Sequence, residues 1–353
     1  MHRVAHSRVD RVKKKRRRRW VFRVITLVLL LTVGIGSYFG YQVVSALNKS
    51  HDSEVGGSKL RAQPVKPKEE PFAVMLLGAD TIDVEEEKSL GWRPDVIMIA
   101  AVNPKTKSAK LVSIPRDTYV KIANTGGHRS KINDAAMAGV KRGINPVDNV
   151  RQTVENLLGI PIDYYAKVNF QGFVDIVDAV GGVDVYNTRS FRGPAIGKKI
   201  FIGYGDQHLD GMKALAYVRQ RKDDPEGDMG RNKRQQEVIS KIIGKIASVE
   251  GVTKFSDVVE AVGKNFTFNI PLSEVPSMLA LYKEIPKENI ERIEFKTYTQ
   301  EYGIVNGIRK KVYWERYREK DLEQIRQLLR QQLNWTGNDS GSGAAESTEN
   351  NNQ

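Results

Sequence analysis

At 353 residues, 40% of them hydrophobic and 28% charged, the chain can bury a real core in one large domain or two modest ones. The absence of cysteine excludes a disulfide scaffold, thiolate zinc, iron–sulfur clusters and a thiol nucleophile. The net charge of +14 sits largely at one end, where residues 1–20 hold ten Lys/Arg against the single Asp10, so overall basicity makes no general case for a nucleic-acid partner.

Segment 1–23 is basic, and Val24 to Val44 follows it with 21 uncharged residues. As a helix that run spans roughly 30 Å, the thickness of a bilayer's hydrocarbon core. It is longer than the apolar region of a cleaved signal peptide, and no A-x-A follows it. The reading is an uncleaved transmembrane signal anchor at 24–44. Lys and Arg before a first span stay cytoplasmic, which makes this a single-pass type II protein of the cell membrane with its bulk outside the cytoplasm. Residues 45–71 are polar and carry Pro64, Pro67 and Pro71, as expected of an extracytoplasmic linker. Residues 336–353 are almost free of apolar side chains and read as a disordered tail.

The stretch 72–335 reads as one domain with no internal repeat. Strands rich in Val, Ile and Leu are predicted at 72–78, 95–103 and 109–115, with further ones at 163–169, 183–187 and 290–298. The short connection with Asn103-Pro104 makes the second and third an antiparallel hairpin. Apolar residues at helical spacing predict helices near 133–143, 147–158, 170–180, 210–219, 230–249, 256–263, 273–283 and 321–333. The fold class is α/β (α+β), a central mixed sheet flanked by helices and preceded by one transmembrane helix.

No GxxxxGK[ST], GxSxG, HExxH or strand–helix GxGxxG occurs, and only His51, His128 and His208 lie beyond the apolar span. The remaining chemistry belongs to arginine and aspartate. If the first three strands form a meander, the end of the first, the start of the second and the end of the third share one edge of the sheet. Those points hold Asp80, then Arg93 and Asp95, then Arg116 with Asp117. Singly, each has a bland role: a turn cap, or a surface ion pair worth about 0–1 kcal/mol. Convergence of all of them is the informative feature. Two hard carboxylates suit Mg²⁺, which takes one or two of them together with phosphate oxygens.

A second cluster runs from 217 to 243. Val238, Ile242, Ile246 and Val249 share a helix face that continues backwards through Gln235 and Arg231, with Arg234 beside it. An inward stripe that begins with arginine at a helix N-terminus resembles an anion site, with Asp228 placed to cap. Arg219 and Arg221 leave the preceding helix. Arginine's planar fork grips phosphate oxygens in pairs, so the inventory suits a diphosphate with its metal.

The segments LLGAD, RPD, LVSIPRDTYV, KINDA, TVENLLGIPIDYYAKVNFQGFVDIVDAVGGVDV, HLDGMKALAYVRQRK and GDMGRNKRQQEVI, spread from Phe72 to Ile243, resemble the LytR–CpsA–Psr family. The resemblance implies a cell-wall phosphotransferase. It would move an anionic glycopolymer, such as wall teichoic acid, from undecaprenyl diphosphate to the C6 hydroxyl of N-acetylmuramic acid in peptidoglycan, forming a phosphodiester. The family's metal ligands map onto Asp80 and Asp95, with Mg²⁺ (or Mn²⁺) as the ion. Its catalytic and diphosphate-binding residues map onto Arg93, Arg116, Arg219, Arg221, Arg231 and Gln235, followed by Lys131, Asp228 and Arg234. The proton acceptor stays open between Asp80 and Asp228. Pro94 replaces a serine frequent in the family, and Thr81–Asp83 lacks its usual arginine. The partners expected are the lipid-linked polymer, peptidoglycan and the cytoplasmic membrane, with no nucleic acid. Hydrolysis of a lipid diphosphate, or non-catalytic binding of an envelope polymer, stand as the alternatives.

Overall fold

The computed structural model describes residues 51–337 apart from 53, 222–223, 249–261, 272 and 306–307. The expected membrane span, the helix expected at 256–263 for most of its length, and nearly all of the expected tail lie outside the described residues. Among those described, no helix is long and apolar enough to cross a membrane.

Strands β1 (Phe72–Ala79), β2 (Pro94–Asn103) and β3 (Ser108–Ser113) form the expected antiparallel meander. Ala79 stands opposite Pro94 at one end, and Asn103 opposite Ser108 at the other. Helix α1 (Val84–Leu90) interrupts the first connection. It escapes the apolar pattern because VEEEKSL is short and polar; it is set by Asp83, whose carboxylate accepts from the Glu85 and Glu86 amides. Gly91 ends it at φ 71, where a Cβ would collide with Met137 Sδ at 2.4 Å.

After β3 come a small hairpin, β4 (Tyr119–Lys121) with β5 (Arg129–Lys131), and the helices α2 (Ala135–Val140) and α3 (Pro146–Leu158). They bring the chain back to β6 (Tyr164–Val168), parallel to β1. Then follow α4 (Phe170–Ala179), β7 (Val183–Asn187), β8 (Phe191–Pro194), β9 (Lys199–Ile202), β10 (Gly205–Leu209), α5 (Gly211–Arg219) and α6 (Gly227–Ala247). The last elements are β11 (Phe266–Phe268), α7 (Val275–Glu284), β12 (Ile290–Ile293), β13 (Tyr298–Val305), β14 (Ile308–Arg316) and α8 (Glu319–Leu333). The central sheet has the order β11-β6-β1-β2-β3-β12, with β6/β1 and β3/β12 parallel and the other pairs antiparallel. It is the mixed, helix-flanked sheet expected.

Alternation along β1 and β2 puts Ala73, Met75, Leu77, Ile97 and Ile99 on a dry face. There they pack with Val150, Val154 and Leu158 of α3 and Leu322, Ile325 and Leu329 of α8. A second core joins Val177 of α4, Ala214 and Ala216 of α5 and Val238 of α6 to Val183, Ile202 and Leu209 of the small strands.

Two readings differ from the structure. The strand expected over 290–298 stops at Ile293, and a separate two-stranded arm, β13–β14, begins at Tyr298. Residues 51–71, read as part of a polar linker, lie on the domain. Val55 and Val65 are buried, Asp52 N–H donates to Phe268 O at 2.7 Å, and Arg61 Nε lies 2.6 Å from Asp163 Oδ1. Composition shows that this stretch is polar; it does not show that the body offers Asp163 and Trp335 to Arg61.

Candidate active site

The shared edge of the meander assembles as expected. At the end of β1, Asp80 N–H donates to Arg93 O at 3.0 Å, and Arg93 N–H returns a bond to Asp80 Oδ1 at 2.7 Å. This closed pair fixes the Asp80 carboxylate at the mouth of the β1–β2 connection. Burial holds its pKa above the ordinary 3.8; the bond from Arg93 works against that, and the negative Asp95 adds to it. Asp95 forms an ion pair with Arg116, which leaves the end of β3.

Arg116 opens a chain of alternating charge. Its Nε lies 3.6 Å from Asp117 Oδ2, and buried Asp117 accepts from Lys131 Nζ at 2.6 Å. The backbone holds the same corner: Asn133 N–H donates to Arg116 O at 3.2 Å and Glu315 N–H to Asp117 O at 2.9 Å. Arg93 reaches the other way, with Nε 3.2 Å from Asp134 Oδ1, while Ser130 donates to Oδ2 of that carboxylate.

Helix α5 delivers the next cation. Arg219, its last residue, lies with its guanidinium carbon 4.0 Å from the Phe170 ring centre. Burial lowers its pKa; Asp95 opposes that shift, and the positive Arg116 adds to it. Asp95, Arg116 and Arg219 therefore share one electrostatic environment. Arg221 donates to the Tyr313 hydroxyl at 2.8 Å, and both Arg221 and Lys131 lie over the Tyr313 ring, at 5.6 and 5.7 Å.

Two α6 side chains hold the corner beside the site. Arg231, Gln235, Val238 and Ile242 are buried along one face, as the periodicity predicts. Yet Gln235 Nε2 donates to Val218 O at 3.3 Å, and Arg234 donates to Tyr217 O, Gln220 O and Asp224 at 3.0, 2.5 and 2.6 Å. These two side chains tie down the end of α5, the strand-like exit that carries Arg219 and Arg221. The expected cap at Asp228 is corrected: the helix starts at Gly227, so 228 lies inside its first turn, and its side chain lies outside the described residues.

The edge thus joins Asp80, Arg93, Asp95, Arg116, Lys131 and Arg219, with Arg221 linked through Tyr313. Sequence reasoning missed Phe170 and Tyr313 as partners of the arginines. Phe170 lies within a quoted motif but carries no polar signal. Tyr313 comes from β14, far along the chain and outside the matched segments. Among the described residues, no group of three or more carboxylate or imidazole side chains is placed to hold a metal ion.

A mixed sheet with guanidiniums and carboxylates gathered on one end defines an α/β protein with an anion-handling site. The chain belongs to the LytR_cpsA_psr (LytR–CpsA–Psr) family, whose model matches residues 37–331. It is 35% identical over 329 residues to the polyisoprenyl-teichoic acid–peptidoglycan teichoic acid transferase TagU of Bacillus subtilis, covering 91% of this chain and 98% of that one. Its fold is similar to the crystal structure of B. subtilis TagV, with a TM-score of 0.64 at 32% identity over 77% of this chain and 100% of that one. It is also similar to TagT bound to LI-WTA, with a TM-score of 0.63 at 31% identity over 80% and 98% of the two chains.

Proposed function

We propose that this chain is a phosphotransferase that moves teichoic acid, or a similar anionic glycopolymer, from undecaprenyl diphosphate onto the C6 hydroxyl of N-acetylmuramic acid in peptidoglycan. The observation that carries the reading is the meeting of Asp80, Arg93, Asp95, Arg116 and Arg219 at one sheet end. The names of the relatives support polyisoprenyl-linked teichoic acid and peptidoglycan as the substrates.

In this reading the hydroxyl oxygen attacks the phosphorus that bears the polymer. The bond from that phosphorus to the bridging oxygen breaks, a phosphodiester forms, and undecaprenyl phosphate leaves. Arg116 and Arg219 bind the non-bridging oxygens and stabilise the charge that accumulates on them. Arg93 and Lys131 flank the same oxygens, and Tyr313 orients Arg221. The hydroxyl proton passes to a carboxylate of the site, with Asp80 and Asp228 as the candidates.

The donor set also fits Mg²⁺, since two carboxylates leave the remaining positions to phosphate oxygens and water. Asp80 and Asp95 are the residues that would hold the ion, and bound Mg²⁺ would supply neutralisation of diphosphate charge. On the second face of β1 and β2, Met98 is fully buried and Val74 packs against a core cluster, while half-buried Leu76 and Val96, nearer the site, would suit an isoprenoid chain. Segment 24–44 would anchor the enzyme, keeping the domain outside the cytoplasm.

The test is a lipid-linked polymer incubated with and without peptidoglycan, the products being read by mass. Polymer joined to muramic acid is the expected result. Release of polymer phosphate at the same rate without peptidoglycan would instead make the enzyme a hydrolase.

A further inference from the structure

The β8–β9 hairpin has an outer face that takes no part in this chemistry. Strand pairing sets Phe191 opposite Ile202 and Gly193 opposite Ile200 on one side, with Arg192 opposite Phe201 and Pro194 opposite Lys199 on the other. The first side is inward. Ile202 is buried, Phe191 stacks on Tyr217, and a Cβ on Gly193 would stand 2.1 Å from the Ala216 carbonyl oxygen of α5. The second side faces water. Phe201 is 55% exposed beneath the Arg192 guanidinium, and Tyr204, just beyond β9, is 65% exposed. Tyr186 on β7, 54% exposed, brings its hydroxyl to 3.0 Å from that of Tyr204.

Charge sharpens the pattern. Residues 187–204 contain Arg189, Arg192, Lys198 and Lys199 and no Asp or Glu. The acids Asp184 and Asp206 lie on the β7–β10 side next to Tyr186, while the hairpin itself sets Phe201 and Tyr204 among cations, as at the boundary between lipid headgroups and acyl chains. An anionic polymer in water would engage the cations but would give the Phe201 ring nothing apolar to enter.

We propose that this face docks on the surface of an anionic lipid bilayer. The inference rests on the reading that the donor is lipid-linked, and it says how the enzyme meets that donor. The hairpin lies directly on α5, and α5 ends in Arg219. Docking therefore holds the guanidinium cluster near the depth at which a membrane-borne diphosphate emerges.

The chain has no cysteine, so one placed at exposed Ser190, beside the patch, is a unique site for an environment-sensitive dye. A second labelled chain carries the dye at exposed Glu288, next to β12. The full chain is reconstituted into vesicles of phosphatidylglycerol and phosphatidylcholine. The dye at 190 should shift to the blue and be quenched by lipid-bound nitroxide far more than the dye at 288. Phe201→Ser with Tyr204→Ser should abolish that difference. Lys198→Glu with Lys199→Glu should lower the docked fraction at least about fivefold at low salt, as the loss of one surface cation's attraction implies. Both pairs point outward, so neither disturbs the core.

A dye at 190 that water-borne quencher reaches as readily as the dye at 288 would overturn the docking face, as would docking unchanged by charge reversal. A chain that keeps position 190 in the lipid yet transfers no polymer supports the docking face and counts against the transfer reading alone.

Discussion

Arg219 is held over Phe170 in partial burial, a cost that makes sense for a guanidinium meant to meet an anion rather than solvent. Arg116 occupies the matching position on the sheet and already holds Asp95. Arg116→Ala and Arg219→Ala should each lower transfer by about 10³–10⁵, as for positioned arginines in other phosphoryl-transfer systems, while the melting temperature stays near that of the parent. Steady-state rates with a lipid-linked donor, measured beside thermal unfolding, check this; full activity in both variants would defeat the assignment. Tyr313→Phe removes only the hydroxyl that accepts from Arg221, so kcat/KM should drop about tenfold with no loss of fold. Asp80 must be ionised to hold a cation. Burial and Asp95 raise its pKa in the metal-free protein, and a bound divalent ion would pull it back down. A carboxylate NMR titration of the metal-free protein should accordingly place Asp80 above the ordinary 3.8, and added Mg²⁺ should lower it.

At the scale of elements, the corner between α5 and α6 decides where the arginines point. The three bonds from Arg234 close it, so this residue, which family resemblance places among the phosphate contacts, acts in the described geometry through Arg219 and Arg221. The elements most legible in the sequence were those with a clear period: β1, β2, β3, α3 and α5 fall within a residue or two of expectation. The β13–β14 arm was not legible. Residues such as Glu301, Tyr302, Arg309, Lys310 and Lys311 are all exposed, so no buried face imposed an alternation to read. Close approach matters too. Gly193→Ala would drive a methyl group into the α5 backbone at Ala216, and a loss of about 1–3 kcal/mol in denaturant unfolding is expected.

Across the whole molecule, residues 51–71 behave as a strap. Arg61 pairs with Asp163, which is almost fully buried and also accepts from Ala73 N–H at 2.9 Å at the start of β1. Arg61→Ala leaves that carboxylate without its cation, and about 3–5 kcal/mol should be lost in chemical denaturation. A fully mobile tether would show no change. Two further outcomes test the proposed topology and metal. A tag fused after Gln353 should be open to protease on intact cells, and chelation of divalent ions should stop turnover, with Mg²⁺ restoring it.

What the chain alone determined was the pattern of apolar periods and the meander's edge. Short connections leave consecutive strands few ways to pair, so Asp80, Arg93, Asp95 and Arg116 could be placed together before any coordinates. Tertiary structure decided the rest. It set which cations face the site and which hold the corner, it brought Tyr313 to Arg221 and Phe170 to Arg219, and it laid residues 51–71 on the body. Each of these depends on contacts between segments far apart in the chain, and local periodicity carries no information about them.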